Sequence, residues 1–239
     1  TPFAFSCLFR NLNPPSVSQG SNQPHYTMAV LAYWPIRGLA EPIRLLLAHV
    51  GDKYENKMYT ERDDWFNNKP NMGLDFPNLP YYIDGAVKIT QSNAIMRHVA
   101  RKHHLAGKNE QECAMVDMLE NILMDLRMAW ARLCYNDNFE TLKDDYIKNL
   151  PGKMAEFEKF LSKSKTGWLV GDLTYVDFLF FEIVDLHLGL APNMLDKSPN
   201  VKKLMDAFRN LPKIKEYYGS PSFKKRPANG PMAKYGGTV

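Results

Sequence analysis

From Ala29 onward, short apolar runs alternate with helical stripes, and each change of period marks an element. Ala29–Tyr33 (AVLAY) is apolar throughout, which predicts a buried strand. Trp34-Pro35-Ile36-Arg37-Gly38 then reads as a turn punctuated by Pro and Gly. Ile43, Leu46, Leu47 and Val50 recur at i, i+3, i+4, i+7, one face of a helix. Pro42 lies in its first turn, where a missing N–H is harmless, and Gly51 is a good stop. Tyr54–Tyr59 predicts a second strand. Asp63–Pro70, polar around Trp65, predicts a loop or a short helix. Leu79–Ile83 and Ala86–Ile89 flank Asp84-Gly85, a two-residue hairpin signal. Thr90-Gln91-Ser92 opens a helix running to about His104.

The order β-α-β, then β-β-α, is that of a thioredoxin-like α/β domain over residues 28–107. Residues 108–239 read as all-helical. Met115, Met118, Leu119, Ile122, Leu126 and Ala129 stripe one long helix, and another spans about Asp144–Ser162. Thr174-Tyr175-Val176-Asp177 has the form of a capping box before an apolar stretch. Short helices are expected near Val201–Asn210 and Pro212–Tyr218. Gly230–Val239 is Gly-rich and expected to fray. Residues 1–27 hold no acidic side chain and no helical period, and their second half is rich in Pro, Ser, Asn and Gln. They read as a disordered leader or a non-native extension ahead of Met28. Phe3, Phe5, Leu8, Phe9 and Arg10 give a faint likeness to a transit peptide.

Composition narrows the class. Hydrophobic residues make up 45% and charged residues 23%, ordinary globular usage with apolar material for a sizeable core. Net charge is +4, evenly spread: 10 basic and 8 acidic side chains in 28–107, 19 and 18 in 108–239. No nucleic-acid footprint stands out. No apolar run is long enough to span a membrane. Cys7, Cys113 and Cys134 are odd in number and have no metal-ligand spacing, which favours a reducing, cytoplasmic setting. The six His residues show no metal spacing either, and no Ser-His-Asp or P-loop pattern occurs.

Local motifs are more specific. LAYWPIRGLAEPIRLLL (31–47), GLDFPNLP (73–80) and ITQSNAIMRHVARKHH (89–104) resemble the mu class of glutathione S-transferases. MDLR (124–127), LCY (133–135) and VDF (176–178) recur at that family's spacing. The likeness covers about residues 29–225. It departs between Tyr59 and Trp65, where a shorter mu loop is closer to invertebrate relatives, and after Phe223.

The resemblance implies a homodimeric enzyme with glutathione as co-substrate, no other cofactor and no metal. It would conjugate glutathione to hydrophobic electrophiles in detoxification. Tyr33 is implied as the residue that stabilises the thiolate. A free thiol with pKa ~8.5 is only roughly 3% ionised at pH 7, and a hydrogen bond to the charged form favours it. Trp34, Leu39, Arg62, Trp65, Lys69, Asn78, Leu79, Pro80, Gln91 and Ser92 are implied as glutathione contacts, with a cis Leu79–Pro80 bond. Asp125 is implied to reach the γ-glutamyl amine from the neighbouring subunit. Met128, Ala131 and Tyr135 are implied to line the electrophile site, with Leu39 also beside it. Phe76 is implied to plug the partner subunit.

Read without the resemblance, the same residues carry less. Tyr33 is a strand-end ring that packs, Trp65 is core and Lys69 is solvated. Thr90 or Ser92 is an ordinary helix cap, and Asp125 a polar position on a long helix. Met128, Ala131 and Tyr135 share one helical face, a spacing that is more often core than ligand contact. The alternative function is a non-catalytic ligand-binding or structural protein on the same fold, and intact Tyr33, Trp34, Gln91 and Ser92 weigh against it. An omega-type thiol enzyme would need a Cys in the first strand–helix turn, and YWPI holds none. A specialised eicosanoid isomerase remains open.

Overall fold

A computed structural model describes residues 28–237. The leader or transit reading of residues 1–27 falls outside the described residues. Strands β1 (Ala29–Tyr33), β2 (Tyr54–Met58), β3 (Tyr81–Asp84) and β4 (Val87–Thr90) form one sheet in the order β2-β1-β3-β4. β1 pairs parallel with β2 and antiparallel with β3, so it is central and needs its apolar composition. Helix α1 (Glu41–Val50) crosses from β1 to β2 and buries Ile43, Leu46 and Leu47 completely. Its left-handed stop is Gly51, at φ +77°.

Several boundaries differ from expectation. Asp63–Pro70, expected as a loop or a short helix, takes the helical alternative as α2 (Arg62–Asn68), with a single 3₁₀ turn after it at Lys69–Asn71. The hairpin pairs Asp84 with Val87, so its two-residue loop is Gly85-Ala86 rather than Asp84-Gly85. Gly85 takes the left-handed φ of +59° at the first loop position, where a glycine is needed. Helix α3 (Ser92–Lys102) ends two residues before His104.

A short connection leads to α4 (Glu110–Cys134), α5 (Phe139–Leu161), α6 (Tyr175–Leu190), α7 (Pro199–Arg209), α8 (Pro212–Gly219) and α9 (Pro221–Lys224). α5 begins five residues earlier than expected, because Phe139 is buried in a stack against Tyr235, with ring centroids 5.7 Å apart. α6 is buried along most of its length and runs through the helical core. Asp177 Oδ2 accepts the Thr174 amide at its head, as the capping box requires.

The tail does not fray through residue 237. The Arg37 and Gly38 amides donate to Pro227 O and Ala228 O, the Asn229 amide to Gly236 O, and the Lys234 amide to Cys134 O. Tyr235 packs edge-on against Trp130. Glycine content predicts a mobile end only where nothing holds it. Here three backbone bonds, the bond from the Gly230 amide to the Tyr135 hydroxyl and two aromatic contacts fasten the tail across the first strand–helix turn and onto the helical domain at the end of α4 and the start of α5.

Candidate active site

Tyr33 ends β1 with its ring in a small core shared with Tyr59, Trp65, Leu79 and Tyr81. Its hydroxyl accepts the Leu39 amide at 3.3 Å. Gly38 makes that approach possible: a Cβ there would stand 2.8 Å from the hydroxyl, and φ is +43°. Burial holds the Tyr33 pKa above its ordinary value, although the Leu39 amide and the Arg127 charge pull the other way. At neutral pH this hydroxyl is therefore a donor, with its proton free to point at a ligand.

The turn after Tyr33 is shaped from behind by Arg44, a buried residue of α1 that lies off the apolar stripe. Its buried guanidinium donates to Ile36 O at 2.8 Å and to Glu41 Oε2 at 2.9 Å. Arg226 donates to the same Glu41 carboxylate, and Tyr217 Oη donates to Glu41 Oε1 at 2.6 Å. The tail and the first helix thus share one buried charge cluster.

A cleft of about 440 Å³ opens beside this turn. It brings together Trp34, Arg62 and Tyr135 from three separate elements. Tyr59 and Phe66 line it too, and Gly230, Pro231 and Met232 of the tail form its far wall. The tail residues were missed because nothing local in a Gly- and Pro-containing end announces where it docks. The Tyr135 hydroxyl accepts the Gly230 amide at 2.7 Å. Met128 and Ala131 lie on α4 one to two turns before Tyr135, Met128 exposed and Ala131 half-buried, and neither lines that cleft.

The remaining implied glutathione contacts divide. Lys69 stands 6.0 Å above the Trp65 ring, which itself is buried and stacked on Tyr81. Trp65 is thus core here. Asn78 Oδ1 accepts the Leu79 amide at 2.9 Å, and the Leu79–Pro80 peptide is cis. Gln91 precedes α3 with φ +72° and makes no side-chain cap. Neither Thr90 nor Ser92 is the cap: Thr90 Oγ1 donates to Phe76 O, and Ser92 is the first helical residue. The first-turn amides are left for another acceptor, and a strained non-glycine residue at their head is a mark of function. Leu39 reaches a second, very small cavity between the domains with Ser92, Asn93 and Arg127.

Asp125 is exposed on α4 at the same helical face as Met118 and Ile122, also exposed, and not among the residues lining the cleft. The Phe76 ring is 81% exposed. Among the described residues no three His, Cys, Asp or Glu side chains stand close enough to hold one metal ion, and no helix is long and apolar enough to cross a membrane.

Comparison with known proteins places the chain in a family. The family described as the glutathione S-transferase N-terminal domain matches residues 29–101, and its C-terminal domain counterpart matches residues 124–221. The chain belongs to the glutathione S-transferase family. Its relatives are of the mu class. It is 46% identical over 215 residues to glutathione S-transferase Mu 1 of Bos taurus, covering 87% of this chain and 98% of that protein. It is 48% identical over 214 residues to glutathione S-transferase Mu 4 of Homo sapiens, covering 86% and 97%. Among solved structures it is similar to the Pi-class glutathione S-transferase of Onchocerca volvulus, with TM-score 0.79, 39% identity, and coverage of 87% and 100%. It is also similar to the glutathione S-transferase Blo t 8, with TM-score 0.81, 33% identity, and coverage of 87% and 99%.

Proposed function

We propose that the protein conjugates the glutathione thiolate to hydrophobic electrophiles, with Tyr33 as the donor that keeps the thiolate ionised. The observation that carries this is the Tyr33 hydroxyl: its acceptor side is occupied by the Leu39 amide, and its proton is left for the sulfur. Accepting one bond strengthens the bond it donates. Lowering a thiol pKa of ~8.5 by ~2 units makes roughly three-quarters of it thiolate at pH 7. Binding sulfur and electrophile side by side supplies the rest, mainly by proximity.

Glutathione enters with two carboxylates and one amine. Arg62 and Lys69 supply cations for its glycyl end, with Trp34 beside them. The uncapped start of α3 at Gln91 and Ser92 suits the γ-glutamyl carboxylate, since bare helix amides bind anions. Asn78, Leu79 and Pro80 take the cysteinyl backbone, which must replace Asn78 Oδ1 on the Leu79 amide. Tyr135, Met128, Ala131 and Leu39 face the electrophile, joined by Met232 of the tail.

The molecule works as a homodimer in this reading. A fully exposed Phe76 ring and the exposed Met118, Ile122 and Asp125 face of α4 are suited to a two-fold interface, through which Asp125 serves the partner's site. Glutathione is the co-substrate and no further cofactor or metal is required. The cytoplasm suits free Cys113 and Cys134. Nothing favours the non-catalytic alternative. The test is a conjugation assay with purified protein and a panel of aryl halides, enones and epoxides. Glutathione-dependent turnover is expected, and its absence from the whole panel would overturn the reading.

A further inference from the structure

Arg226, two residues beyond α9, is buried, its side chain 4% exposed. Its Nη1 donates to Glu41 Oε1 and Oε2 at 3.0 and 2.9 Å and to the Tyr217 hydroxyl at 2.9 Å. Glu41 is fully buried at the start of α1 and does not need Arg226 for neutrality. Arg44, three residues on, already pairs with the same carboxylate at 2.9 Å. One buried anion thus holds two buried cations. Burying a second guanidinium is costly, and charge balance does not explain it. What Arg226 adds is a connection. Glu41 belongs to the first domain and Arg226 lies 185 positions away, so the pair fastens the tail against the head of α1.

The residues that follow Arg226 show what is held. Pro227 O accepts the Arg37 amide at 2.8 Å, and Ala228 O accepts the Gly38 amide at 3.1 Å. Both amides belong to the turn between Tyr33 and α1. The next amide along, that of Leu39, donates to the Tyr33 hydroxyl. On the same carboxylate, Arg44 donates to Ile36 O at 2.8 Å. Glu41 therefore grips this turn twice: through Arg44 on the Ile36 carbonyl, and through Arg226 on the Arg37 and Gly38 amides. Gly38, without a Cβ and at φ +43°, is the most yielding point of the turn, so a clamp matters most there. We propose that Arg226 is a positioning residue: by clamping the tail to Glu41 it holds the Pro227 and Ala228 carbonyls on the turn, and through the turn it keeps the Leu39 amide on the oxygen that meets the sulfur. Without this clamp the Arg37 and Gly38 amides exchange their carbonyl partners for water more often. The Leu39 amide then leaves the hydroxyl, and the Tyr33 proton meets the sulfur in a weaker geometry. Arg226 itself touches no substrate and moves no proton.

The inference rests on the conjugation reading, and the test separates the two. Arg226→Met and Arg226→Lys would be compared with wild type by hydrogen exchange at the Arg37 and Gly38 amides without glutathione. Titration of the bound glutathione thiol, the pH profile of kcat/KM on a small halodinitrobenzene, and thermal melting complete the comparison. In Arg226→Met both amides should exchange roughly 5- to 20-fold faster. The thiol pKa should rise by about half a unit to one unit, less than when the Tyr33 hydroxyl is removed. From a bound thiol pKa of ~6.5, kcat/KM should then fall roughly 2- to 5-fold at about pH 6.5 and by little at about pH 8.5. Arg226→Lys, which keeps one charged donor for Glu41, should recover part of each change. Arg44 still pairs with Glu41, so the Met variant is expected to fold. If it does not, Arg226→Gln carries the same comparison with the same outcomes. Unchanged exchange at both amides would show that Arg226 does not hold the turn, and overturns the inference. So does a loss of activity equal at every pH with the thiol titration unmoved, which is the mark of a structural role alone. A wild-type thiol that titrates as in free solution would overturn the role of Tyr33, and this inference with it, whatever the exchange shows.

Discussion

The Leu39 amide donates to the Tyr33 hydroxyl at 3.3 Å, tying the end of the first strand to the approach of the first helix through the oxygen assigned to the thiolate. Tyr33→Phe removes that oxygen and keeps the ring. One hydrogen bond to a charged group is worth about 1.5–3 kcal/mol, or roughly one to two pKa units. The pKa of bound glutathione should rise toward its solution value. Turnover of an aryl halide should fall roughly 10- to 100-fold at neutral pH, with the loss shrinking as pH rises. Thiolate absorbance measured across pH checks this, and identical titrations in mutant and wild type would remove Tyr33 from the role.

Gly38 offers an independent route to the same atom. A methyl group there meets the Tyr33 hydroxyl at 2.8 Å, and φ of +43° already disfavours any side chain. Gly38→Ala should displace the hydroxyl while leaving the sheet and helical core intact. The expected result is a raised thiol pKa, as in Tyr33→Phe, with a helical circular-dichroism signal like wild type. A Gly38→Ala protein with normal thiolate titration would show that the hydroxyl has room to move.

The central strand, the first helix and the long helix were legible because each buries one stripe or run, and burial writes itself into the period. Tyr33 and Tyr135 were legible through their motifs. The tail was not, since its docking depends on Tyr235 meeting Trp130 and Phe139, residues about 100 positions away. Gln91 gave no sign of its positive φ, because glutamine has no preference for that region. Arg44, Arg127 and Glu182 carry no mark of burial in the periodicity of their helices. Only the packing of α1 and α4 on α6 buries them.

Phe76→Ser should loosen the dimer. A ring left 81% exposed in one chain contributes about 1.5–3 kcal/mol when buried, and a two-fold interface counts it twice. The dimer constant from sedimentation should weaken by at least an order of magnitude, and glutathione affinity should fall with it because the role proposed for Asp125 is across the interface. A dimer constant equal to wild type would mean that Phe76 lies outside the contact.

His187 sets part of the acid sensitivity. Its Nδ1 donates to Ile183 O, so Nε2 accepts the Tyr146 hydroxyl at 2.7 Å. Burial lowers its pKa to about 4 from an ordinary 6.5. The unfolded chain therefore takes a proton near pH 6.5 that the folded chain refuses until about pH 4. The stability linked to this group is complete above pH 6.5 and is lost as pH falls toward 4, at most about 3 kcal/mol for a shift of that size. His187→Gln should be less stable at pH 7.5 yet lose less between pH 6.5 and 5. Urea midpoints across that range test it, and parallel slopes would exclude His187 as the sensitive group.

Tyr135 lines the cleft proposed for the electrophile and also holds the tail. Its hydroxyl accepts the Gly230 amide at 2.7 Å, at the point where the tail turns to wall the cleft. Tyr135→Phe removes a neutral hydrogen bond worth about 0.5–1.5 kcal/mol, which raises the open population of the tail roughly 2- to 10-fold. The remaining anchors at Arg37, Gly38 and Lys234 keep the segment docked on average. Hydrogen exchange should therefore quicken at the Gly230 and Lys234 amides and stay unchanged in β1, whose protection depends on the sheet. KM for a bulky apolar electrophile should rise in step, because Met232 leaves the wall more often, while KM for glutathione stays level. Faster exchange with an unchanged electrophile KM would separate the tail from substrate binding, and unchanged exchange at Gly230 would show that this hydrogen bond does not hold the tail in solution.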